Sequence, residues 1–69
     1  MALTEITSID TYRIRRINGE SKIRRHLEEL GFIPGEKIKV VSRVASGLIV
    51  SVKGSRIAIN HDTASMIFV

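Results

Sequence analysis

Apolar and basic residues alternate through Tyr12-Arg13-Ile14-Arg15, a period of two that predicts a half-buried strand with a cationic outer face. Ile17 falls out of that phase. A bulge near Arg15 and Arg16 would restore it by bending the strand, and a strand that simply ends there fits equally well. Asn18-Gly19-Glu20-Ser21 then supplies a turn with helix-capping residues, and Ile23, Leu27 and Leu30 follow at the i, i+4, i+7 spacing of one buried helical face. Gly31 is placed to end that helix in the left-handed conformation, with Phe32 turned back onto Leu27 in a Schellman ending. Pro34-Gly35 enforces the stop.

Period-two patterning returns at Glu36, where Ile38 and Val40 alternate with Lys37 and Lys39. Ala45-Ser46-Gly47 is a turn before Leu48, Val50 and Val52, so these segments predict a hairpin. Gly54-Ser55, between Lys53 and Arg56, predicts a second tight turn leading to Ile57 and Ile59. Asn60-His61-Asp62-Thr63 breaks the pattern, with Asp62 placed to cap one short helical turn through Met66 before a final strand, Ile67 to Val69. The order of elements suits a mostly β fold: a small five-stranded barrel, one α-helix inserted after the first strand to cover an opening, and residues 1–69 as one domain.

Composition supports that fold class. Ile and Val account for 17 of the 69 residues, and 43% hydrophobic with 26% charged is a globular mixture. The absence of cysteine removes disulfides, thiolate nucleophiles and sulfur ligands, leaving a small core to stabilise the chain by packing and favouring a reducing, cytoplasmic setting. No apolar run approaches the ~20 residues of a membrane span, and Met1 to Asp10 lacks the basic start and apolar centre of a secretory signal.

The net charge of +4 predicts an acidic partner, and its distribution narrows the region. Arg13, Arg15, Arg16, Lys22, Arg24 and Arg25 fall in one short stretch against a single acid, Glu20. Within the helix, Lys22, Arg24 and Arg25 stand toward the N-terminus and Glu28 and Glu29 toward the C-terminus, the reverse of what the macrodipole favours. Arg24–Glu28 and Arg25–Glu29 can pair only in the weaker i, i+4 orientation. A local rule broken on an exposed face points to function there, although solvated faces often carry such pairs at almost no energetic cost.

Catalytic chemistry finds few materials. His26 and His61 are the only near-neutral proton carriers, no triad can be assembled, and the glycines form neither a P-loop nor a dinucleotide fingerprint, so the chain is not expected to be an enzyme. His26 and Glu29, with His61 and Asp62 from a loop, are a conceivable ligand set for a weakly held divalent ion such as Fe2+ or Mn2+. His26 beside the apolar stripe is more simply a core-edge residue. A cationic nucleic-acid-binding barrel is the rival class, but Tyr12, Phe32 and Phe68 are the only aromatics available for stacking on bases, and two of them sit in segments that read as buried.

The run Arg24-Arg25-His26-Leu27-Glu28-Glu29-Leu30-Gly31-Phe32-Ile33-Pro34-Gly35 resembles the signature of the FeoA family of ferrous-iron transport accessory proteins, also seen in the C-terminal barrel of the diphtheria-toxin-repressor family. The similarity continues through the strand to Val44, the hairpin Val50 to Ile59, the ending Ala64 to Val69 and the opening Leu3-Thr4-Glu5-Ile6. The chain departs from the family pattern at Asp10, where a glycine is usual, and at Ser46-Gly47-Leu48, which lacks a proline. The resemblance implies an SH3-like barrel and a cytoplasmic, non-enzymatic role with the ferrous-iron permease, whose nucleotide-binding domain faces the cytosol. On that basis the exposed helix face, Arg24, Arg25 and Glu28, with the neighbouring turn at Pro34 and Gly35, is the expected docking surface, and the resemblance assigns no metal-ligand set.

Overall fold

A computed structural model describes all 69 residues. After a 3-10 turn at Leu3–Glu5 come β1 (Thr11–Arg13), β2 (Arg16–Ile17), α1 (Ser21–Leu30), β3 (Lys37–Val44), β4 (Gly47–Val52), β5 (Ser55–Asn60), α2 (His61–Met66) and β6 (Ile67–Phe68). An antiparallel four-stranded sheet runs β1-β3-β4-β5, and β2 pairs with β6 in a second, two-stranded sheet.

The phase slip before Ile17 has a structural cause. Ile14 donates its N–H to Glu36 O (2.9 Å), and the next residue, Arg15, donates to Phe68 O (2.7 Å), so the chain passes from one sheet to the other between them. β1 and β2 are thus one bent strand shared by two sheets, and counted in this way the barrel has five strands, with α1 inserted after the first. The bulge lies instead in β3, where the register with β4 shifts between Val40 and Ser42. Ala2 bridges to Phe68 and brings the start of the chain to the free side of β6.

Ile38, Val40, Val50 and Val52 are fully buried because period-two spacing sends them to one face, while Lys37 and Lys39 point outward. Leu3, Ile14, Phe32 and Ile67 complete the centre of one core cluster. Gly47 is required by close approach: a Cβ there would stand 1.9 Å from the Ile59 carbonyl oxygen. The second hairpin turns at Lys53-Gly54 and not at Gly54-Ser55. Val52 pairs with Ser55, and both intervening residues have positive φ (50° and 79°), the twist that suits a two-residue connection.

The two helices differ from expectation in their caps and in their burial. Glu20 precedes α1 without a side-chain capping bond, whereas the other end closes as predicted: Gly31 has φ 106°, its N–H donates to Glu28 O, and Phe32 N–H donates to Leu27 O. In α2 the capping residue is Asn60, whose Oδ1 accepts from Thr63 N–H at 2.8 Å, and Asp62 lies one position inside the helix. Of the predicted stripe on α1, only Leu27 is buried; Ile23 and Leu30 are 39% and 40% exposed. The helix covers its end of the barrel along one edge of its apolar face, and α2, packed on the 3-10 turn, β4 and β5, closes more of the core than its six residues suggested. His26 is exposed, away from the core edge.

Candidate functional site

The flank of α1 beside its apolar stripe and the neighbouring strand β2 border a cleft of about 470 Å³. Ser21, Arg24, Arg25 and Glu28 form the helical side because positions three and four apart share a face. Arg16 and Ile17 from β2 and Pro34 from the turn after the helix form the other. Of the predicted surface residues, Arg24, Arg25, Glu28 and Pro34 therefore meet in one concavity.

Gly35 does not line it. Its N–H donates to Ile14 O (2.7 Å) and its carbonyl accepts from the Arg13 guanidinium (2.6 Å), so it fastens the turn to β1 and thereby holds Pro34 in place. Arg24 reaches back to Ser21 Oγ at 3.4 Å, a local contact within the first helical turn.

Arg16 and Ser21 lie outside the docking surface expected from the sequence, yet both line the cleft. Arg16 pairs with Phe68 across the β2–β6 ladder, and its guanidinium lies 4.3 Å from the centroid of the Phe68 ring, a cation–π contact. It also borders an adjoining cleft of about 470 Å³ lined by Met1, Arg15 and Phe68. The density of arginines between Arg13 and Arg25 was the available signal. What converts it into one surface is the bend between β1 and β2, which no local pattern specifies.

The conceivable metal set is not assembled. His26 and Glu29 are on α1, His61 and Asp62 on α2, and no three His, Asp or Glu side chains are grouped so as to hold an ion. His61 instead borders a smaller, partly apolar pocket of about 230 Å³ with Leu3, Ile6 and Leu48. Phe32 is wholly buried and one face of Phe68 is engaged by Arg16, so little aromatic surface is left for stacking beside the basic cleft.

A family model described as the FeoA domain matches residues 1–69, the whole chain. The chain belongs to the FeoA family. Its SH3-like architecture is shared with solved structures: an FeoA protein from Chlorobium tepidum is 27% identical with a TM-score of 0.84, over 99% of this chain and 67% of that one. A crystal structure described as an iron uptake regulatory protein (FeoA) is 31% identical, TM-score 0.85, over 97% of this chain and 91% of that one. FeoA of Stenotrophomonas maltophilia complexed with zinc, described as a prokaryotic SH3 domain protein and in connection with ferrous iron transport activation, is 27% identical, TM-score 0.80, over 99% and 87%. No curated protein sequence matches this FeoA chain. No helix is long and apolar enough to cross a membrane.

Proposed function

We propose that this FeoA protein is a cytoplasmic, non-enzymatic accessory of ferrous-iron uptake that docks on the cytosolic nucleotide-binding domain of the ferrous-iron permease. The family match along the whole chain carries the reading, and the relatives' descriptions as iron-uptake and ferrous-iron transport proteins agree with it. Arg24, Arg25 and Glu28 on α1, with Pro34 beside them, form the contact surface, while Gly35 braces it from behind. The concavity these residues share supports that assignment, because a cleft with polar groups converging from two elements is where a partner gains both fit and orientation.

An anaerobic NMR titration of labelled protein with the permease's cytosolic domain tests the reading. Amide shifts clustered from Ser21 to Glu28 and around Pro34 are expected. Absence of shifts at high partner concentration would leave the family and fold standing and remove the partner.

A further inference from the structure

We propose that the cleft between α1 and β2 recognises an acidic segment of a protein partner, its carboxylates held by Arg16, Arg24 and Arg25; this deepens the docking reading by naming the chemistry of the surface that docks. Three guanidinium groups and one carboxylate, Glu28, share this concavity. Guanidinium is the side chain best matched to carboxylate, since its planar fork donates two parallel N–H bonds. Arg16 is held over the Phe68 ring, so that fork gives up less side-chain freedom on binding than a free surface arginine would. The cationic band extends past Arg16 into the adjoining cleft, where Arg15 lies, so a segment crossing both meets four arginines in sequence.

Two observations favour a protein segment over a nucleic acid. The only aromatic on the band, Phe68, already has a face covered by Arg16, which reduces the surface it offers a base for stacking. Glu28 on the cleft wall repels a dense run of phosphates, yet it can accept from a backbone N–H or side-chain amide between two carboxylates of a polypeptide.

The probe is a short Gly/Ser-flanked peptide carrying four Asp and Glu residues, titrated at low salt into protein labelled at arginine side chains. Its Asn/Gln counterpart and an oligothymidylate of similar length run in parallel. The acidic peptide should shift the side-chain Nε–H signals of Arg16, Arg24 and Arg25 and lose affinity as salt is raised. Arg16→Gln with Arg24→Gln should weaken it at least about tenfold, whereas Lys39→Gln with Arg56→Gln, of equal net charge on the other sheet, should stay within about twofold. Equal losses in the two double variants, equal binding of the amide peptide, or tighter binding of the oligothymidylate at the same arginines would overturn the inference. Titrating the permease domain into the same samples separates the two ideas. A domain that binds regardless of Arg16→Gln and Arg24→Gln preserves docking and refutes the acidic-segment cleft; peptide binding with no domain binding does the reverse.

Discussion

Arg16 and Phe68 are register partners across the β2–β6 ladder, and the arginine's guanidinium lies 4.3 Å from the centre of the phenylalanine ring. Through that contact the last strand of the chain positions a cation on the wall of a cleft whose opposite wall is α1. The basic surface is therefore a product of the second sheet and not of the helix alone. Ala2 also bridges to Phe68 through the backbone, so the chain's first residues brace the same strand.

Phe68→Leu retains a half-buried hydrocarbon but removes the aromatic face. Unfolding in urea should show a loss of about 0.5–1 kcal/mol for the cation–π term, plus whatever packing the smaller side chain forfeits. The discriminating readout is the Arg16 Nε–H resonance, which should move and broaden. An unchanged resonance would mean that the ring does not hold the guanidinium.

Leu27 is the only buried residue of α1, so the helix is anchored to the barrel chiefly through one side chain. Leu27→Ala should cost about 2–5 kcal/mol. Since no second buried residue on the helix shares the load, amide exchange should quicken across Ser21–Leu30 more than in β3 or β4. A melting temperature that did not move would refute the packing described for α1.

Much of the fold was legible because period two and period 3.6 report burial directly: Ile38, Val40, Leu48, Val50, Val52 and Leu27 all lie where their spacing put them. Local chemistry also fixed the Schellman ending at Gly31. Three features failed to register for physical reasons. A period cannot say how much of an apolar face finds a partner, so Ile23 and Leu30 were expected inside. Capping propensity does not choose between Asn60 and Asp62, two residues apart, since both side chains suit the role and the backbone decides which is extended. Lys53 enters the left-handed region because the two-residue hairpin demands it, against its own preference. The cleft was half legible: helical spacing grouped Arg24, Arg25 and Glu28, but Arg16 joins them only through the crossing between two sheets.

Gly31 and Gly47 should respond differently to alanine. At Gly31 the added Cβ would meet ordinary contacts, 3.5 Å from the Lys53 side chain, so the cost is that of a left-handed non-glycine residue, about 1–2 kcal/mol. At Gly47 it would overlap the Ile59 carbonyl, and β4 and β5 would have to part; about 4 kcal/mol or more is expected. Thermal unfolding of the pair checks the order. A Gly47→Ala protein as stable as Gly31→Ala would contradict the close approach of these strands.

Asn60 Oδ1 satisfies one of the N–H groups that the start of a helix leaves without a backbone partner. Asn60→Ala should therefore destabilise by about 0.5–2 kcal/mol, while Asp62→Ala, which removes no capping bond, should change stability by less. The comparison is made by chemical denaturation at one pH. Equal losses would return the cap to a shared role.

Charge reversal on the helix, Arg24→Glu with Arg25→Glu, separates folding from docking. Both side chains are exposed, and Arg24's hydrogen bond is to neighbouring Ser21, so the melting temperature should shift little. The reversal puts acids four residues before Glu28 and Glu29, and that like-charge repulsion offsets what the macrodipole returns, so the net change in stability should be small. Docking on the permease domain should fall steeply, because the cleft would then carry Arg16 as its sole cation against three carboxylates. Affinity is to be measured by calorimetry at low and raised salt. The unsubstituted protein should bind more weakly as salt rises, and the variant should show that dependence reduced or inverted. A variant that folds, binds the domain with unchanged affinity and keeps the same salt response would show that the basic flank of α1 is an ordinary solvated surface, and the helix would then serve only to cover the barrel through Leu27.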